Sequence, residues 1–221
     1  AIDLGAGYTN TGTFVQNQTS RNQSEFLLHE DLRGLSDFHQ THAFLSRFTY
    51  VTPAPTAWRS WFRHAFGEWN LSAVALFKSG TPFTIEAGSD SPGLGNVDGD
   101  SGDRVHIIDP AILGRTIDNP DTSASRLPFS AFAFMSLGEQ RGNIGRNTFL
   151  KDGVNNINAS LSRTWRMTTE KAFTFRAESI NFFNSPQFAS PGSTLSIPNF
   201  GRITNTLNDG RTFRFLLRFA F

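Results

Sequence analysis

From Thr212 to Phe221 the chain reads Thr-Phe-Arg-Phe-Leu-Leu-Arg-Phe-Ala-Phe, and no other stretch constrains its fold as tightly. Odd positions carry Phe213, Phe215, Leu217, Phe219 and Phe221, while even positions carry Thr212, Arg214, Leu216, Arg218 and Ala220. Successive side chains of a strand point to opposite faces, so this strand has one wholly apolar face and one bearing two arginines. A soluble sandwich turns such arginines to water, whereas a membrane barrel turns the phenylalanines to lipid and the arginines to a polar lumen.

Five further runs alternate in the same way. Ile2, Leu4, Ala6 and Tyr8 oppose Asp3, Gly5 and Gly7. His42 to Val51 places Phe44, Phe48 and Tyr50 on one face, with Leu45 and Val51 blurring the other. Trp69, Leu71, Ala73, Ala75 and Phe77 alternate with Asn70, Ser72, Val74, Leu76 and Lys78. Ile157, Ala159, Leu161 and Trp165 oppose Asn156, Asn158, Ser160, Ser162 and Thr164, with Arg163 the exception. Phe173, Phe175 and Ala177 oppose Thr174, Arg176 and Glu178. The runs are about nine to thirteen residues long, whereas globular strands average roughly five to six and tilted membrane-spanning strands need about nine to eleven.

Composition supports an all-β chain. There are 23 Phe among 221 residues against 2 Tyr and 2 Met, and helix-favouring runs of Ala, Leu, Glu and Lys are nearly absent. Only Lys78, Lys151 and Lys171 are lysines among the 20 basic residues. A net charge of +1 gives no reason to expect nucleic acid as a partner. The absence of cysteine excludes disulfides, thiolate-ligated metals and thiol catalysis. No apolar run reaches the ~20 residues of a transmembrane helix.

The connections differ in size. Arg166–Lys171 is a tight polar turn and Thr52–Phe66 is moderate, while 10–41, 88–153 and 184–211 are long and rich in Gly, Pro, Asn, Asp and Ser. Outer-membrane barrels pair short periplasmic turns with long extracellular loops. A C-terminal strand ending in the periplasm puts all three long loops outside the cell. Six spanning strands fall short of the roughly eight of the smallest membrane barrels. Val105–Ile108 and Phe129–Met135 are candidates for two more, but both are short. The expectation is therefore an antiparallel transmembrane β-barrel in which residues 1–221 form one segment, the C-terminal part of a larger barrel. No fixed-period repeat or dividing linker interrupts it.

The stretches LRGLSDFHQTHAF (32–44), WNLSAVALFKSGTPFTI (69–85), GNIGRNTFLKDGVNNINASLSRTW (142–165), FRAESINFFNSPQF (175–188) and PNFGRITNT (198–206), with terminal Phe221, resemble the C-terminal barrel region of TonB-dependent receptors. The likeness is to the Oar-like group that carries a carboxypeptidase-regulatory-like N-terminal domain. Gln40 and Thr41 stand where that family usually has basic residues, and Ser179–Ile180 interrupt its aromatic stretch. The resemblance implies a bacterial outer-membrane location. It also implies that Phe221 is the signal read by the barrel assembly machinery, with outer-membrane lipid and the remainder of the barrel as further partners. It covers no plug domain and no TonB box, the parts that carry energy coupling.

Candidate chemistry is sparse. Asp98, Asp100 and Asp103 on a glycine-rich loop, with Asp109 beyond, offer oxygen ligands suited to calcium, though the EF-hand spacing fails and a solvated turn is the simpler reading. His39 and His42 lack a third ligand and read as a polar strand rim. No GxSxG, P-loop or GxGxxG motif is present, so no enzyme activity and no resident cofactor are expected. Trp58, Trp61, Trp69, Phe62 and Phe66, interleaved with Arg59, Arg63 and His64, read as an interfacial aromatic girdle.

The expected function is a receptor or transporter barrel for uptake or surface binding, with Arg176, Glu178, Arg214 and Arg218 facing the lumen. Two alternatives remain. One is an assembly or adhesion module that pairs through open strand edges. The other is a soluble β-sandwich that binds carbohydrate through the Asp-rich loop.

Overall fold

A computed structural model describes residues 2–3, 34–97 and 101–221. In chain order its elements are β1 (Ile2–Asp3), β2 (Gly34–Leu35), β3 (Ala43–Val51), α1 (Ser60–Phe66), β4 (Asn70–Lys78), β5 (Pro82–Phe83), β6 (His106–Ile107), β7 (Thr116–Ile117), α2 (Pro120–Arg126), β8 (Phe132–Ala133), β9 (Phe149–Lys151), β10 (Val154–Arg166), β11 (Ala172–Ile180) and β12 (Thr212–Ala220). They form two compact units. One comprises Ala1–Thr41, Ser79–Gly153 and Phe188–Leu207, and the other comprises His42–Lys78, Val154–Gln187 and Asn208–Phe221.

The second unit is built on an antiparallel five-stranded sheet of order β12-β11-β10-β4-β3. Its strands run nine residues each, except β10 with thirteen. These lengths match those expected from the alternation. The register brings the apolar positions of neighbouring strands together: Phe44 lies opposite Phe77, Leu71 opposite Leu161, Trp165 opposite Phe173, and Phe173 opposite Phe219. A one-residue slip would turn every side chain to the wrong face, so this agreement across five strands fixes the register.

The ends of the sheet differ. At one, β10 and β11 are joined by a turn in which Met167 N–H donates to the Lys171 carbonyl at 2.8 Å and Thr168 Oγ1 accepts from Lys171 N–H at 3.0 Å. The β3–β4 connection lies at the same end. The long connections from β4 to β10 and from β11 to β12 leave from the other, as the loop lengths led us to expect.

Five of the six runs expected to span are long strands among the described residues, and one expectation, the two further strands, needs correction. Of the run Ile2–Tyr8, only Ile2 and Asp3 are described, paired with Leu35 and Gly34. The sheet is open: β3 and β12 are its edges, and five strands are too few to close a barrel. Val105–Ile108 and Phe129–Met135 do not supply spanning strands. They contain β6 and β8, two residues each, which pair with one another inside the first unit.

That first unit is assembled largely from what the sequence presents as loops. Ile85, Val105, Ile112, Ile117, Leu127, Phe132, Ile144, Phe149, Leu195, Phe200 and Ile203 form its hydrophobic core. Each fully buried side chain of this size contributes roughly 1.5–3 kcal/mol, enough to hold segments with little regular structure. Asn147 adds a polar clasp. It adopts a left-handed φ of 54°, its Nδ2 donates to the Leu35 carbonyl at 2.7 Å and to Asp37 Oδ1 at 2.6 Å, and its Oδ1 accepts from Thr84 Oγ1 at 3.0 Å. Arg146 beside it pairs with Asp37 at 3.2 Å. α2 opens on Pro120, whose missing N–H costs a helix nothing there, and Asn119 caps it by accepting from Asp121 N–H at 2.8 Å.

Candidate functional site

The polar face of the five-stranded sheet gathers the residues singled out for a lumen. Arg176 and Glu178 alternate on β11, and Arg214 and Arg218 alternate on β12. Pairing sets Glu178 opposite Arg214, Leu216 opposite Arg176 and Arg218 opposite Thr174. All four charged residues therefore share one face. Arg176 Nη2 and Glu178 Oε1 lie 2.5 Å apart, an exposed pair worth at most about 1 kcal/mol in water. Arg214 and Arg218 have no ion pair among the described residues. On β10 the same face presents Asn158, Ser160, Ser162 and Thr164, and Thr164 Oγ1 lies 2.9 Å from Thr174 Oγ1. A shallow cavity of about 240 Å³ lies here, lined by Ser72, Asn158, Ser160, Arg176 and Glu178 among others. Hydroxyls, amides and an excess of guanidinium suit hydrated or anionic solutes.

The opposite face is apolar, and on β12 it is exposed. Phe215 is 70% exposed, Leu217 67% and Phe221 92%. Phe221 stacks on Phe219 with ring centroids 5.9 Å apart. Every buried hydrophobic residue of the described chain belongs to the first unit, and the sheet contributes none.

At the short-turn end of that apolar face lies α1, a helix that the residue propensities did not announce. Its four C-terminal carbonyls each meet a side-chain donor: Arg163 Nη2 to Arg63 at 3.4 Å, Trp165 Nε1 to His64 at 3.2 Å, Trp69 Nε1 to Ala65 at 2.8 Å and Thr52 Oγ1 to Phe66 at 3.0 Å. A helix end leaves such acceptors without intrahelical partners, although the Arg63 carbonyl also accepts from Gly67 N–H at 3.0 Å. Trp58, just before the helix, and Trp61, Phe62 and Phe66 on it form a connected aromatic cluster. The sequence marked these aromatics but not the part played by Arg163. Its break in the alternation was the available signal.

The metal candidates separate. Asp98 and Asp100 lie outside the described residues. Asp103 is buried and its Oδ2 accepts from Asn96 N–H at 2.9 Å. Asp109 caps the 3₁₀ turn Pro110–Ile112 through Ala111 N–H at 3.0 Å. No group of three or more metal-binding side chains occurs among the described residues. His39 Nε2 lies 3.4 Å from Thr41 Oγ1.

Two carboxyls of the first unit are shifted. The main-chain N–H of Ser136, and then His106 at 2.8 Å, hold Glu139 below the ordinary carboxylate value. Burial pushes Asp152 up, against hydrogen bonds from the N–H groups of Phe188 and Gly153.

A family model described as an outer membrane beta barrel domain matches residues 1–214. No curated protein and no solved structure matches the chain. No helix among the described residues is long and apolar enough to cross a membrane, which says nothing of crossing by strands.

Proposed function

Because the chain belongs to the outer membrane β-barrel domain family, we propose that its five-stranded sheet is part of the wall of a TonB-dependent-receptor-like barrel that takes up or binds an external ligand. The protein is located in the bacterial outer membrane. The reading rests chiefly on the exposed apolar face of β12. Phe213, Phe215, Leu217 and Phe219 all stand exposed there, and a hydrocarbon bilayer is the solvent in which such a face is stable.

In this reading the opposite face, with Arg176, Glu178, Arg214 and Arg218, lines the lumen of a barrel larger than the five strands. The long connections leave the sheet at the end opposite the short turns and belong on the extracellular side. The short turn, α1 and the aromatic cluster lie at the periplasmic interface. Outer-membrane lipid, the rest of the barrel and the assembly machinery that reads Phe221 are the partners.

A second reading, a module that joins other chains by strand pairing, draws on the two open edges at β3 and β12. The soluble carbohydrate-binding sandwich is the least favoured, because a sandwich buries the apolar face of each sheet and here that face of β12 is exposed.

Purification with and without detergent separates these readings. The barrel reading expects the chain to partition into micelles and to aggregate on detergent removal. A monodisperse, cooperatively unfolding monomer in plain buffer would overturn it.

A further inference from the structure

At the end of the sheet where α1 lies on the apolar face, β10 runs past the start of β4. This leaves a cavity of about 630 Å³ lined by His64, Glu68, Asn70, Arg163, Trp165 and Arg166, with Ser162 and Thr164 completing the wall. Three of these side chains are basic and one is acidic.

Arg163 is the unusual member. It occupies a position of the apolar face and is only 5% exposed. Its guanidinium lies 5.0 Å from the centre of the Trp165 ring and 5.9 Å from that of Trp69. One nitrogen makes the long contact with the Arg63 carbonyl, while Nε and Nη1 are buried with no hydrogen-bond partner. A buried guanidinium without a counter-ion is costly, and it persists where an anion completes it. The stacked indoles leave its charge intact and orient it.

We propose that this cavity binds the phosphate of an anionic phospholipid, with Arg163 as its principal contact, His64 beside it, and the aromatic side chains of α1 in the acyl region. The inference rests on the membrane-facing reading of the apolar face and goes beyond it by naming a lipid class and a residue. The helix favours a lipid over a soluble anion: α1, which contributes His64 to the cavity, also carries the exposed rings of Trp61 and Phe66, and an amphipathic helix with basic and aromatic residues partitions to the headgroup boundary.

The chain offers its own reporter. All 4 of its tryptophans, Trp58, Trp61, Trp69 and Trp165, lie on or beside α1. The test titrates the full chain in dodecyl maltoside with phosphatidylglycerol brominated on its acyl chains, and in parallel with phosphatidylcholine carrying the same chains. The proposal expects phosphatidylglycerol to quench tryptophan fluorescence at a roughly fivefold lower concentration, the factor for one cation beside an anionic lipid. Arg163→Gln should abolish that preference, and Arg163→Lys should keep much of it.

Equal quenching of the unmodified chain by both lipids overturns the proposal, whether or not the Gln variant folds. A preference that survives Arg163→Gln overturns the assignment to this residue. Displacement of phosphatidylglycerol by an equal concentration of inorganic phosphate replaces the lipid with a free anion and overturns the lipid assignment. Quenching by neither lipid removes the membrane-facing reading itself, a failure distinct from loss of selectivity.

Discussion

The indole N–H of Trp165 donates to the main-chain carbonyl of His64 at 3.2 Å across 101 residues of sequence. Near it, the Trp69 indole donates to Ala65 at 2.8 Å. A seven-residue helix is too short to be stable alone, so α1 depends on the donors that Trp69, just before β4, and Arg163 and Trp165 of β10 supply to its last carbonyls.

Trp165→Phe keeps a ring on the apolar face and removes that donor. It should destabilise the second unit by about 1 kcal/mol, the net worth of a hydrogen bond. Trp58→Phe removes an indole N–H that has no partner among the described residues and should have a smaller effect. Denaturant unfolding in micelles, followed by circular dichroism, compares the two. Equal midpoints would mean that the helix docks by aromatic contact alone.

The two faces of β12 predict opposite tolerances. Phe215→Arg places a charge against lipid and should cost about 2–4 kcal/mol if the residue lies near the bilayer midplane, while Arg214→Gln should be mild. Refolding equilibria into lipid vesicles give both values. Similar values for the two would mean that the environments of the faces have been misassigned.

How much of this architecture the sequence carried depends on how local its cause was. β10, β11 and β12 were legible because a two-residue period is written in consecutive positions such as Phe213, Phe215 and Leu217. α1 was not, since Ser60–Phe66 has no side-chain N-cap and its C-terminal partners come from Thr52, Trp69, Arg163 and Trp165. The first unit was hidden for a related reason. Ile85, Phe149 and Leu195 meet in one core from segments whose strands are two or three residues long, too short to show any period. Among the candidate residues, the parity of Arg176, Glu178, Arg214 and Arg218 was readable. The occupation of Asp103 and Asp109 by turn hydrogen bonds depends on three-dimensional neighbours and was not.

Asn147 tests the first unit. Asn147→Leu forces a branched side chain into a left-handed backbone and removes the bonds to Leu35, Asp37 and Thr84. A loss of about 3 kcal/mol or more is expected. Asn147→Gly relieves the backbone but not the lost bonds and should fall between. Hydrogen exchange at the amides of Ile85 and Phe149 reads the effect. A Gly variant as stable as the parent would show that the side-chain bonds contribute nothing net.

The two shifted carboxyls predict opposite pH responses. Asp152 has a raised folded value, so its contribution is present below the unfolded carboxylate value and is lost as pH climbs through the folded one. Glu139 has a lowered folded value, so its contribution is present above the unfolded value and is lost as pH falls through the folded one. Asp152→Asn should flatten the loss on the rising side, and Glu139→Gln the loss on the falling side. Thermal melts across the acidic range, compared with the parent chain, would contradict this if either variant kept the parent's slope.

The central claim is that one face of this sheet meets lipid and the other meets water. With no cysteine in the chain, Phe213→Cys through Phe219→Cys, made one at a time in the bilayer-reconstituted protein, each carry a unique spin label. The account predicts a two-residue period, with oxygen collision highest at 213, 215, 217 and 219 and collision with a water-soluble nickel chelate highest at 214, 216 and 218. Absence of that period, or its inversion, would contradict the account.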